Sequence, residues 1–130
     1  MDVPRILIAD DDADFKEILS SKLLAAGYEI AEAKEGAEAV VKAKILHPHL
    51  VIMDIQMPGV NGTEAVLEIK GDPETKDMKI IFFSNLTYPW PAARTDNPEF
   101  AKGLGAVTFL SKSDDMDNVV AKVKELVPIG

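Results

Sequence analysis

The chain has 130 residues, a length that suits one domain with room for a sizeable hydrophobic core. Its 14 basic and 22 acidic side chains give a net charge of −8, which disfavours direct binding to nucleic acid because phosphate contacts need a basic face. There is no cysteine, so disulfides, thiolate nucleophiles and cysteine-based zinc sites are excluded, and this absence fits a cytoplasmic protein.

Short apolar runs alternate along the chain with segments of helical periodicity. The first run, residues 6–9, is too short for a secretory signal or a membrane span, so we expect no membrane insertion. Gly27 is a natural stop for the first helix, and Pro48 lies just beyond the second. In chain order the pattern predicts strand 6–9, a helix from 15 to 27, strand 28–33, helix 36–45, strand 50–53, helix 64–70, strand 80–83, a short helix 4 after residue 98, strand 106–110 and helix 5 at 116–127.

This alternation of strand and helix predicts a single α/β domain over residues 1–130, with no output domain in the chain. Because crossovers between parallel strands are right-handed, few topologies remain. We predict a five-stranded, doubly wound parallel sheet in the flavodoxin-like order 2-1-3-4-5, with helices on both faces. Ligands bind such sheets at the carboxyl ends of the strands, where the strand order reverses between strands 1 and 3.

Reactive side chains follow four of the five predicted strands. Strand 1 is followed by Asp10 and Asp11, strand 3 by Asp54, strand 4 by Ser84 and strand 5 by Lys112. The predicted topology brings them into one cleft. Carboxylates gathered closely repel one another, and a hard divalent cation with oxygen ligands, such as Mg²⁺, relieves that repulsion. A lysine and a hydroxyl beside such an ion would suit a dianionic phosphoryl group, so the set indicates a carboxylate that receives one.

Simpler roles compete for these acids. An aspartate beyond a strand is commonly a helix cap, and we assign Asp12 and Asp14 to capping and to stabilisation of the helix dipole. A calcium EF-hand beginning at Asp10 is disfavoured, because its sixth position is Phe15 instead of glycine and its twelfth is Ser21 instead of glutamate.

Four segments in the right order resemble the receiver domain of response regulators in two-component signalling. In the second segment, Asp54 stands four residues before Pro58 and eight before Gly62, a specific spacing. The resemblance extends from about residue 5 to residue 127. The four segments that show the resemblance are residues 6–12, 50–62, 82–84 and 105–112.

The resemblance implies a phosphoacceptor. Asp54 would take a phosphoryl group from a histidine kinase or a phosphotransfer protein. Asp11, Asp54 and the backbone carbonyl of Gln56 would ligate Mg²⁺, with Asp10 holding a metal-bound water, and Lys112 would pair with the phosphate. The domain would not otherwise be an enzyme, since it would catalyse only its own phosphotransfer and autodephosphorylation.

The resemblance also implies a switch. Ser84 would move to hydrogen-bond the phosphate, and Phe109, at the position of the family's switch aromatic, would turn inward and reshape the surface of helix 4, strand 5 and helix 5. That surface would act on an unidentified downstream protein, and a phosphorylation-dependent homodimer stays open. The sequence departs from the family in the long segment 85–98 and in Ser113, where the family usually has a cis proline. The peptide between residues 112 and 113 can therefore be cis or trans.

Two other functions compete with that of a phosphoacceptor. A phosphatase of the haloacid dehalogenase type also uses an aspartate nucleophile, but it needs a second aspartate two residues on as general acid, and Gln56 stands there. The remaining alternative is a receiver-like interaction module that signals without phosphorylation.

Overall fold

The computed structural model describes residues 3–54, 62–84, 108–111 and 115–129 of the chain. Within them lie the strands β1 (Arg5–Ala9), β2 (Glu29–Ala33), β3 (Leu50–Asp54), β4 (Lys79–Ser84) and β5 (Thr108–Ser111), and the helices α1 (Ala13–Ala26), α2 (Gly36–Leu46), α3 (Gly62–Gly71) and α4 (Met116–Leu126). The helix α4 is the predicted helix 5. The predicted helix 4, the segment 85–98 and the peptide between residues 112 and 113 lie outside the described residues.

The five strands run parallel in one sheet, in the order β2-β1-β3-β4-β5, which confirms the predicted order. The strand β3 lies at the centre, and all five of its residues are buried, as expected for a parallel strand that is covered on both faces. The strand order reverses between β1 and β3. The carboxyl ends of these two strands therefore flank the crevice in which such sheets bind ligands.

Side chains of the central strands alternate between two hydrophobic layers, one on each face of the sheet. One layer contains residues of α2 and α3, and the other contains residues of α1 and α4. In β4, Phe82 belongs to the first layer and Phe83 to the second, and both rings are fully buried. Helices thus cover both faces, as the alternation predicts. Within the described ranges, no helix has both the length and the apolar content needed to cross a bilayer.

Local signals set both ends of α1. The side chain of Asp12 accepts a hydrogen bond from the Phe15 backbone N–H at 3.1 Å, which confirms the predicted capping role of Asp12. Asp14 lies in the first turn, where a negative charge suits the helix dipole. At the other end Gly27 has a φ of 110°, a left-handed conformation that favours glycine. A Cβ added there would also lie 3.1 Å from Ile129.

Apolar residues recur at helical spacing along α1, at Phe15, Ile18, Leu19, Leu23 and Leu24, but only some of them are buried. Leu19 and Leu23 are fully buried, whereas Ile18 and Leu24 are 51% and 55% exposed. Residues four apart share a face of a helix, and neighbouring residues do not. A helix packed on one side of a sheet therefore buries one stripe, and the sequence pattern overstates the width of that stripe.

The end of α4 is held by two side chains, one from the residue before β2 and one from the first residue of β4. The Tyr28 hydroxyl donates to the Val127 carbonyl at 2.6 Å, and the Lys79 ammonium donates to the Leu126 carbonyl at 2.5 Å. Leu126 is the last residue of α4 and Val127 is its C-cap, so both carbonyls lie at the helix end, where backbone acceptors lack a partner within the helix. Tyr28 is 2% exposed. Burial raises the pKa of its phenol above the ordinary value of 10.0.

We expect the stabilising effect of Tyr28 to be lost in alkali. Because its folded pKa is raised, the contribution is fully present below pH 10 and falls as the pH rises through the folded pKa. At pH 7 the free energy of unfolding of a Tyr28→Phe variant should be about 1 kcal/mol lower than that of the wild type. Urea unfolding of both proteins from pH 7 to pH 11 should show this difference shrinking above pH 10. A constant difference across that range would mean that the buried phenol does not titrate with unfolding.

Candidate functional site

Two neighbouring strands end in the aspartates that the sequence singles out. Ala9 of β1 lies opposite Met53 of β3 in parallel register. The next residue on each strand is an aspartate, Asp10 on one and Asp54 on the other, and Asp11 follows directly. Because the strands are parallel and adjacent, all of these side chains start from the same edge of the sheet. These side chains also lie between β1 and β3, the two strands at which the strand order reverses.

One carboxylate oxygen from each of Asp10, Asp11 and Asp54 lies within 4.8 Å of the other two. Asp10 and Asp54 are 1% and 4% exposed, while Asp11 is exposed at the rim. Three carboxylates offer only hard oxygen donors, which suit Mg²⁺ or Ca²⁺ better than the softer transition metals. A shared cation would also offset the repulsion between the three charges. The donor set therefore fits a hard divalent cation, as the sequence predicts.

Backbone contacts fix Asp10 in this group. Its N–H donates to the Ala33 carbonyl of β2 at 2.9 Å, which extends the β1–β2 ladder by one step. Its side-chain Oδ1 accepts from the Asp12 N–H at 2.8 Å. The Asp12 side chain, in turn, is engaged in capping α1. Asp12 is thus an orienting and capping residue, while Asp10, Asp11 and Asp54 form the carboxylate group.

The other predicted site residues are only partly described. Ser84 ends β4, one residue beyond the pairing of Asp54 with Phe83, so its backbone lies at the same edge of the sheet. Phe109 lies in β5 opposite Phe82. The side chains of Ser84 and Phe109 lie outside the described part of the chain, as do the whole residues Gln56 and Lys112. Their roles stay predictions.

A network around the end of β2 was missed by sequence reasoning. The Ser20 hydroxyl donates to the Glu32 carboxylate at 2.7 Å, and the Lys42 ammonium donates to the Glu32 backbone carbonyl. Lys42 also forms an ion pair with Glu38 at 3.1 Å. The one local signal was the spacing of Glu38 and Lys42, which places them on one face of a helix. Their contact with β2 depends on the tertiary fold.

Comparison with known proteins gives the same assignment along almost the whole chain. The family model described as "Response regulator receiver domain" matches residues 6–124. The chain is 40% identical over 126 residues to protein-glutamate methylesterase/protein-glutamine glutaminase 1 of Methanosarcina acetivorans, an alignment that covers 95% of the chain and 34% of that relative. It is 50% identical over 74 residues to the chemotaxis protein CheY of Thermotoga maritima, covering 55% of the chain and 62% of that protein.

A solved structure supports the fold independently. The chemotaxis response regulator CheY4 of Vibrio cholerae superposes with a TM-score of 0.84 at 25% sequence identity, covering 97% of this chain and all of that one. The chain spans about a third of the length of the methylesterase relative, and its alignment with the Thermotoga protein covers 62% of that protein.

Proposed function

The chain belongs to the response regulator receiver domain family, and from that premise we propose that Asp54 accepts a phosphoryl group from a histidine kinase or a phosphotransfer protein. Receiver domains are signalling domains of two-component systems and are generally not enzymes, although some relatives, such as the methylesterase, join a receiver to an enzyme. The observation that carries the proposal is the grouping of three carboxylates at the edge where the strand order reverses. One receiver domain over residues 1–130 is part of the proposal.

The proposed reaction would use a divalent cation held by this chain's own carboxylates. Receiver domains typically bind Mg²⁺ through an acidic cluster, and Asp10, Asp11 and Asp54, with the Gln56 backbone carbonyl, are the residues we assign to it. When bound there, Mg²⁺ would offset the negative charge of the incoming phosphoryl group. Asp10 and Asp54 are buried at the carboxyl ends of two adjacent strands, so their side chains are oriented in advance.

The chemistry needs a single nucleophile. A carboxylate oxygen of Asp54 forms the new bond to phosphorus, while the bond from phosphorus to the donor's imidazole nitrogen breaks and its electron pair stays on that nitrogen. Lys112 pairs with the phosphate and Ser84 hydrogen-bonds it. The same residues then support hydrolysis of the acyl phosphate, so the domain acts catalytically only on itself.

The output is proposed to be a change of surface. Ser84 and Phe109 would couple the phosphate to one face of the domain. That face is formed by the predicted helix 4 (after residue 98), by β5 and by α4, which is the predicted helix 5. Its partner would be a downstream protein or a second copy of the domain. The charge of −8 favours a protein partner over direct contact with nucleic acid, and we propose a cytoplasmic location.

The test is phosphorylation by a small donor. With Mg²⁺ and acetyl phosphate, the intact protein should gain the mass of one phosphoryl group, and hydroxylamine should remove it, as expected of an acyl phosphate. The same incubation with EDTA in place of Mg²⁺ should leave the mass unchanged, because the metal offsets charge in the transfer. An unchanged mass in both incubations would contradict the proposal and favour the phosphorylation-independent interaction module.

A further inference from the structure

The edge strand β2 carries a clamp on its outer side. Within the described sheet, β2 pairs only with β1, so alternate carbonyls of β2 face away from the sheet. The Ala33 carbonyl faces β1 and accepts from the Asp10 N–H. The preceding carbonyl, that of Glu32, faces outward and accepts from the Lys42 ammonium of α2. The simplest function of this contact is to cover an exposed strand edge.

The lysine is itself held in place. Glu38 pairs with Lys42 at 3.1 Å and also accepts from the Lys34 N–H at 2.8 Å, just after β2 ends. The Lys34 N–H, and after it the Lys42 ammonium, lower the pKa of Glu38 below its ordinary value of 4.5. Glu38 therefore stays charged at neutral pH. The first turns of α2 and the end of β2 form one hydrogen-bonded unit.

Glu32 is also held from the opposite face of the sheet. Its carboxylate accepts from the hydroxyl of Ser20, which lies in α1 and is 6% exposed. The backbone of Glu32 is thus held through α2, and its side chain through α1. The Lys42 contact alone covers the edge carbonyl, so the Ser20 contact is an additional anchor. Together the two contacts hold the residue whose peptide directly precedes the Ala33 carbonyl.

The consequence reaches the carboxylate group. The peptide between Glu32 and Ala33 is clamped at its oxygen, the next carbonyl holds the Asp10 amide at 2.9 Å, and the Asp12 N–H orients the Asp10 carboxylate at 2.8 Å. We propose that Lys42, aligned by Glu38, is a positioning residue that holds Asp10 in its metal-binding orientation. This inference rests on the proposed function, because it concerns the Mg²⁺ site. Contacts of this kind around metal ligands are known to tune affinity.

The test compares two lysines of the same helix. Lys42→Met keeps the apolar stem of the side chain and removes the ammonium. We expect it to weaken Mg²⁺ binding, measured by isothermal titration calorimetry, by about threefold to tenfold, less than the roughly 10–100-fold loss seen for direct partners of metal ligands. Lys44→Met is the matched control, since the Lys44 ammonium forms its ion pair with Asp72, beyond α3, at 3.5 Å. It should bind Mg²⁺ like the wild type, and Lys42→Arg, which keeps a positively charged N–H donor, should retain most of the wild-type affinity.

A second readout separates positioning from plain stability. In Mg²⁺-free buffer, the Asp10 amide should exchange its hydrogen faster in Lys42→Met than in the wild type, while the Leu7 amide in the middle of β1 should not change. Unaltered Asp10 exchange together with unaltered Mg²⁺ affinity would overturn the inference and leave the proposed function standing. A wild type that binds no Mg²⁺ would instead overturn the proposed metal site, and the inference with it.

Discussion

An Asp54→Asn variant should gain no phosphoryl group under conditions in which the wild type gains one. The reason is chemical, because the amide oxygen of asparagine is a far weaker nucleophile than a carboxylate oxygen and cannot form the acyl phosphate. Asparagine has nearly the shape of aspartate, so the buried position, 4% exposed in the wild type, should accept it without a cavity. Intact mass after incubation with Mg²⁺ and acetyl phosphate is the measurement.

The control for this variant is Asp72→Asn. Asp72 lies beyond α3, where it pairs with Lys44, and it carries the same charge as Asp54. That variant should gain one phosphoryl group, as the wild type does. Phosphorylation that persists in Asp54→Asn would assign the reaction to another carboxylate, and Asp10 and Asp11 would then be the first to examine because they lie in the same group.

The sheet and its site can be predicted from the sequence because both follow from short local patterns. A strand buried on both faces reads as an unbroken apolar run, and the runs that become β1 and β3 stop at Asp10 and Asp54. Parallel strands bring the residues after those runs to one edge. The position at which an apolar run ends therefore predicts two things. The residues before it are buried in the core, and the carboxylate after it lies at the edge of the sheet where ligands bind.

Contacts between distant elements cannot be read in this way. The Tyr28 hydroxyl reaches the Val127 carbonyl across 99 residues, and the Lys42 ammonium reaches a backbone carbonyl of β2 that every sequence would supply. Backbone acceptors carry no sequence signature, so only the fold reveals which side chain satisfies them. The same limit applies to α1, where the apolar spacing includes Ile18 although the sheet covers only the stripe of Leu19 and Leu23.

Magnesium should stabilise the wild type, and an Asp11→Asn variant should lose much of that stabilisation. An ion that binds only the folded chain adds about 2.7 kcal/mol to the free energy of unfolding at a concentration of 100 times its Kd. Asp11 is the ligand to change because it is exposed, so its replacement leaves the core intact, whereas Asp10 is buried. Each tenfold loss of affinity should remove about 1.4 kcal/mol of the stabilisation at high Mg²⁺.

Urea unfolding at several Mg²⁺ concentrations, with NaCl adjusted to constant ionic strength, isolates site binding from general screening of the acidic surface. The matched control is Asp14→Asn, which removes an equal charge from an exposed position in the first turn of α1, outside the carboxylate group. Its response to Mg²⁺ should equal that of the wild type. If both variants lose the same amount of Mg²⁺ stabilisation, Mg²⁺ acts through the net charge of −8. The proposal of a specific site would then be wrong. A loss confined to Asp11→Asn would identify the rim carboxylate as a ligand, because only a bound ion distinguishes two exposed aspartates three residues apart.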